Sequence, residues 1–170
     1  MFEKKNHVRN LVMLAMLTAL LVVFTRFLSF ETWNMRIGFS FIPLAIAGYL
    51  YGSIPAGLVG AVADVLGMIL FPKGAYFPGF TLTALLMGVV YGLFLHKKMT
   101  VIKTVIAVLI NQLVLSLCLQ TFWISMISGA DYFALIPVRV TQCAINIPVQ
   151  IAVLFLLQKQ YVRVLKHSVA

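Results

Sequence analysis

From Ile37 to Phe71 the chain runs for 35 residues with a single charge, Asp64. So long an apolar run points to a bilayer, since ~20 predominantly apolar residues in a helix already cross a hydrocarbon core of ~30 Å. It is interrupted at YGSIP, Tyr51 to Pro55. There a Gly-Ser pair signals a turn, and the proline suits the first turn of the next helix. The stretch therefore reads as a tight hairpin of two helices. Its first arm is short, at ~15 residues or ~22 Å. Because 62% of all residues are hydrophobic and only 10% charged, no part is polar enough to fold as a separate soluble module. Residues 1–170 are thus expected to form a single membrane domain.

The rest of the chain repeats the pattern. Lys4, Lys5 and Arg9 precede the apolar run Leu11 to Thr25, and with no small-residue cleavage site after it this reads as a first transmembrane helix rather than a removed leader. The segment FLSFETWNMR, with Glu31, Trp33 and Arg36, reads as an interfacial loop. The expected fold is all-α, a polytopic bundle of six transmembrane helices at about 8–29, 36–51, 54–71, 79–96, 103–128 and 133–158. Counting the first hairpin as two spans puts Lys4, Lys5, Arg9, Lys97, Lys98, Lys103, Lys159, Arg163 and Lys166 on one side, so both termini are expected in the cytoplasm. The net charge of +9 is explained by the same rule, which removes the case for nucleic acid. Cys118 and Cys143 lie in apolar runs without CxxC spacing and read as small buried side chains, not as a disulfide or metal site.

Four cations remain, Arg26, Arg36, Lys73 and Arg139, and all fall on the outer side. An outward pocket with several cations suits an anionic ligand, because guanidinium groups hold carboxylates through paired hydrogen bonds. Glu31, Asp64 and Asp131 could instead neutralise some of them. On the third helix Gly52, Ala56 and Gly60 recur every four residues and lead to Asp64, so that this face packs on protein and Asp64 points inward. An ionised carboxylate only accepts hydrogen bonds and complements a ring edge with adjacent N–H donors, such as an amino-pyrimidine or pterin. Trp33, Tyr76, Phe77 and Trp123 stand at the same level and could enclose a flat heterocycle or form an interfacial belt. A structural pairing of Asp64 with Arg26 or Arg139 is the other reading.

Two polar stripes follow, Gln112, Ser116 and Gln120 on the fifth helix and Arg139, Gln142, Asn146 and Gln150 on the sixth. Arg139 is expected to face a cavity, whereas Gln112, Asn146 and Gln150 read as hydrogen bonds between helices. Gly88 and Gly92 make a G-x-x-x-G on the fourth helix. Ala15 and Ala19 in AMLTA form a flat strip for close helix approach, either within the chain or with a partner. No phosphate loop, zinc-protease motif, nucleophile elbow or acidic metal cluster is present, so the chain does not read as an enzyme.

The segments AMLTA, RIGFSFIPLAIAGYLYG, AGLVGAVADVLGMIL and FPKGAYFPGFTLTALLMGVVYG together resemble the substrate-binding S components of energy-coupling-factor vitamin transporters, and within them the folate-specific members. The resemblance implies six helices with both termini cytoplasmic in a bacterial cell membrane. It implies that Ala15 and Ala19 contact a membrane T component coupled to two ATPases, which use the ATP, with no cofactor in this chain. It also implies an outward pocket for folate or a reduced folate, the pterin deep and the glutamate carboxylates shallow, in keeping with Asp64 deep and Arg36 and Lys73 shallow. An S component for another vitamin, and a small membrane enzyme or structural subunit without a ligand, are the alternatives.

Overall fold

The computed structural model describes the backbone of residues 2–32, 35–72, 76–96 and 100–169, and the side chains of residues 8–29, 38–72, 76–96 and 100–159. Helix α1 (Phe2–Arg26) is followed by a short antiparallel ribbon, β1 (Ser29–Thr32) and β2 (Met35–Gly38). Helices α2 (Phe41–Tyr51), α3 (Ser53–Leu70) and α4 (Pro78–Leu95) come next. The last two are α5 (Val101–Ser128) and α6 (Tyr132–Val169). Five of the helices are long and apolar enough to cross a membrane, and α2 is a shorter apolar helix. Apart from the ribbon, the described residues form an all-helical bundle.

The ribbon corrects the expected second helix at 36–51. Residues Met35–Gly38 pair in register with β1, from Ser29 opposite Gly38 to Thr32 opposite Met35. A Cβ at Gly38 would come within 2.5 Å of the Ser29 Cβ, so glycine permits this close pairing. The helix then starts at Phe41 because Pro43 has no N–H and a ring that clashes with the preceding turn, which confines it to a first turn. At 11 residues α2 is ~16 Å long, well short of a bilayer core. Helix α1 likewise ends at Arg26 rather than near 29, where the chain turns into β1 and the Ser29 hydroxyl donates to the Thr25 carbonyl. At the other end of the chain α6 continues past 158 to Val169.

Close packing is glycine-mediated, as lipid offers no hydrophobic drive between helices and contact must come from shape. A side chain at Gly88 would fall on the Ala56 carbonyl, one at Gly60 on the Ala84 carbonyl, and one at Gly92 on the Ser53 backbone. The face of α3 that carries Ala56 and Gly60 therefore lies against α4. The turn from α2 to α3 passes through Gly52 at φ 85°, and α5 ends at Gly129 at φ 66°, a left-handed helix cap that glycine adopts without a Cβ penalty. The apolar core includes Leu17, Ala56, Val59, Leu95 and Leu154, and toward the ribbon its members Leu21, Phe41, Leu44 and Ala63 border a cavity. The ribbon half is hollow.

Candidate functional site

The hollow is a cavity of about 810 Å³, within the range of small-molecule sites. Its walls come from the C-terminal parts of α1, α3 and α5 and the N-terminal parts of α2, α4 and α6, which an up-and-down bundle brings to one end. Each wall is a helix face. On α4, Phe80, Ala84, Met87 and Tyr91 recur at three- and four-residue spacing, and on α6 Arg139, Gln142, Asn146 and Gln150 do the same.

Asp64 stands in the α3 wall, half-buried. Its Oδ2 accepts a hydrogen bond from the Thr81 hydroxyl at 2.7 Å, and the Tyr76 hydroxyl lies 3.2 Å from that same Thr81 oxygen. The Thr81 bond orients the carboxylate from α4, and the other oxygen is left for further donors. Arg26 enters from the end of α1 and lies flat on α3, where a Cβ at Gly67 would come within 2.9 Å of its Nε. Arg139 enters from α6, only 3% exposed, and its Nε has no hydrogen-bond partner among the described residues. One wall therefore carries an anionic acceptor and two others carry guanidinium donors.

The aromatic parts are layered. Phe77 lines the cavity, whereas Trp123 stands behind it at a ring-centroid distance of 5.3 Å and donates its indole N–H to Thr83 at 3.2 Å. Gly79 makes room for both rings, since a Cβ there would meet Phe77 and Trp123 within 2.6 Å. Trp123 thus buttresses the wall instead of forming it. Tyr76 also lines the cavity, from the connection between α3 and α4.

The α5 wall is wound differently from the rest. Over Ile110–Gln120 the helix is π-wound for 11 residues, flanked by α-helix on both sides. Asn111, Gln112, Ser116 and Gln120 all line the cavity from it. Nine residues at ~3.6 per turn would put Asn111 and Gln120 on opposite faces. At the ~4.4 per turn of i→i+5 bonding the same nine residues make about two turns and share a face.

A family model described as "ECF transporter, substrate-specific component" matches residues 9–158. The chain belongs to the substrate-specific, or S, components of ECF transporters. This is a family of transporter subunits and not of enzymes. The S component is 43% identical over 149 residues to the folate transporter FolT of Clostridium novyi (strain NT), covering 87% of each chain. It is 31% identical over 166 residues to the folate transporter FolT of Leuconostoc mesenteroides, covering 93% of this chain and 89% of the relative. A crystal structure of FolT bound with folic acid superposes with a TM-score of 0.85 at 38% identity, over 88% of this chain and 92% of that one.

Of the residues expected from sequence to touch a ligand, the S component brings Asp64, Arg26, Arg139, Tyr76 and Phe77 to one cavity. Trp33 and Lys73 lie outside the described residues, as does the Arg36 side chain, whose backbone pairs with Glu31 in the ribbon. The sequence reading assigned Gln112, Asn146 and Gln150 to contacts between helices, but all three line the cavity. Gln150 also bonds between helices, accepting from the Tyr91 hydroxyl at 3.1 Å. Asn111 and Tyr91 were not read as site residues at all. The five- and four-residue steps from Asn111 to Ser116 to Gln120 carried the signal, but they match a π period and not an α period. Cys118 is exposed rather than buried, while Cys143 is buried and donates to the Gln112 carbonyl at 3.3 Å. Ala15 and Ala19 are both exposed on α1.

Proposed function

We propose that this S component captures folate or a reduced folate from outside a bacterial cell for an ATP-driven importer. The observation that carries the reading is the cavity itself, in which the acceptor-only carboxylate of Asp64 shares one enclosed space with the guanidinium groups of Arg26 and Arg139. A folate has a flat ring with adjacent N–H donors at one end and carboxylates at the other, so it needs both kinds of group. The similarity to FolT proteins, one of them bound with folic acid, supports the same ligand.

In this reading Asp64 receives the donor edge of the pterin, Phe77 and Tyr76 cover the ring with Trp123 behind, and the cations take the anionic tail. Arg36 and Lys73 belong by their sequence positions to the connections at the cavity end, where they would meet the glutamate together with Trp33. The chain is a single membrane domain that spans a bacterial cell membrane six times with both termini in the cytoplasm, α2 and the ribbon together filling the second span. The exposed Ala15 and Ala19 form the strip on which a membrane T component packs, and two ATPases on that partner supply the energy.

The test is a titration of the purified protein in detergent with folic acid, followed by tryptophan fluorescence. Saturable quenching by folic acid, absent with biotin, is expected because Trp123 touches a cavity-lining ring. A folded protein that does not respond to folic acid, and responds to another vitamin, would replace the ligand.

A further inference from the structure

Asn111 is only 2% exposed, and neither its Oδ1 nor its Nδ2 has a hydrogen-bond partner among the described residues. It lines the cavity beside the Tyr91 hydroxyl, which donates to Gln150 Oε1 and is the nearest polar group to the carboxamide, in weak hydrogen-bonding range of it. Gln112 Oε1 on the same segment and Gln142 Oε1 on the facing helix are also buried without hydrogen-bond partners among the described residues. A buried carboxamide short of well-formed partners costs stability, and native proteins satisfy such groups almost everywhere. The π winding of Ile110–Gln120 puts Asn111 on the same cavity face as Ser116 and Gln120, and the Cys143 thiol ties that segment to α6 through the Gln112 carbonyl. An α-wound α5 would carry the carboxamide round to another face.

We propose that Asn111, placed by the π-wound segment, is a specificity-determining residue that donates to the carbonyl of the ligand ring. This rests on the folate reading above. Asp64 only accepts hydrogen bonds, so it can match ring N–H and amino groups but leaves the ring carbonyl without a donor. The Asn111 carboxamide supplies that donor from its Nδ2, directed at the ring carbonyl. Two walls then read two kinds of edge on one flat ring, α3 with a carboxylate and α5 with a carboxamide. The rare winding is retained because no α-helical register presents Asn111, Ser116 and Gln120 together.

The experiment is Asn111→Leu in the full chain, with three readings: the melting temperature without ligand, the Kd for folic acid, and the Kd for the 4-deoxy analogue, whose ring has C–H in place of the carbonyl. The unliganded variant is expected to melt at or above the wild-type temperature, since it loses an unpaired polar group. Its Kd for folic acid is expected to rise about 10- to 100-fold, the value of one or two buried hydrogen bonds. The wild-type preference for folic acid over the 4-deoxy analogue is expected to fall by about the same factor, leaving the part that comes from the ring N–H facing Asp64, which the analogue also lacks. A variant that fails to fold or melts well below wild type would make Asn111 a structural residue and overturn the proposal. So would a Kd for folic acid within about threefold of wild type, or an unchanged preference between the two ligands. Those results leave the folate reading standing, whereas failure of the wild type to bind folic acid would remove that reading and this one with it.

Discussion

Asp64→Asn is the substitution that bears most directly on the proposed chemistry. It keeps the shape of the side chain and can keep the Thr81 bond, because the amide oxygen can take the place of the Oδ2 that now accepts at 2.7 Å. With that oxygen engaged, the amide NH₂ is turned to where a ligand would present N–H groups, and an acceptor becomes a donor. The loss is at least one hydrogen bond to a charged group, about 1.5–3 kcal/mol, with a further cost for opposing donors. A total of about 2–4 kcal/mol corresponds to a ~30- to 1,000-fold rise in Kd for folic acid. Thr81→Val removes only the bond that orients the carboxylate and is expected to weaken binding by about fivefold, near 1 kcal/mol. Isothermal titration with folic acid on both variants, alongside melting curves, measures this. A Kd for Asp64→Asn within about threefold of wild type, in a folded protein, would refute a role for the carboxylate in recognising the ring.

Replacing both Ala15 and Ala19 by Leu should leave folic acid binding intact and abolish uptake in cells carrying the partner subunits, because the two alanines face outward on α1. An equal fall in binding would place the strip inside the bundle. Gly88→Ala should lower the melting temperature, by about 1–3 kcal/mol of stability, since the new methyl meets the Ala56 backbone and not a movable side chain. Wild-type melting would show that α3 and α4 can separate at no cost. Phe77→Ala should weaken folic acid binding by about 1 kcal/mol and alter Trp123 emission even without ligand, as the two rings are in contact. Unaltered emission would argue against the buttressed wall.

The fold was legible where one physical constraint dominated. Apolar run length marked the helices, and the Gly-Ser-x-Pro turn marked the boundary between α2 and α3, which the structure places at Gly52. The small residues on α3 and α4 marked the face on which the two helices meet. The ribbon was not legible because β1 fell in a segment that reads as an interfacial loop while residues 36–38 of β2 passed for the start of α2, and hydropathy does not distinguish a four-residue strand from a helical turn. Pro43 held the missing information. Pro43 lies seven residues into the helix expected at 36–51, where it lacks the N–H that an interior position needs, so a later start that leaves it in the first turn, as at Phe41, follows from local chemistry.

The candidate site was legible in its charges and not in its amides. Asp64, Arg26 and Arg139 stand out because an ionised group inside a bilayer must face protein or a cavity, and the structure brings all three to one. A carboxamide carries no such compulsion, since bonding between helices satisfies it equally well. The structure divides the two roles. Gln150 accepts from Tyr91 across the bundle, whereas Asn111, Gln112 and Gln142 each retain a buried atom without a well-formed hydrogen bond among the described residues. Each such atom costs the empty protein about 1–3 kcal/mol, which packing alone would have removed by substituting apolar residues of similar size. A ligand that supplies the missing partners recovers that cost on binding. It then stabilises the bundle in proportion to the logarithm of its concentration over Kd, so the unpaired amides link the affinity of the cavity to its marginal stability when empty.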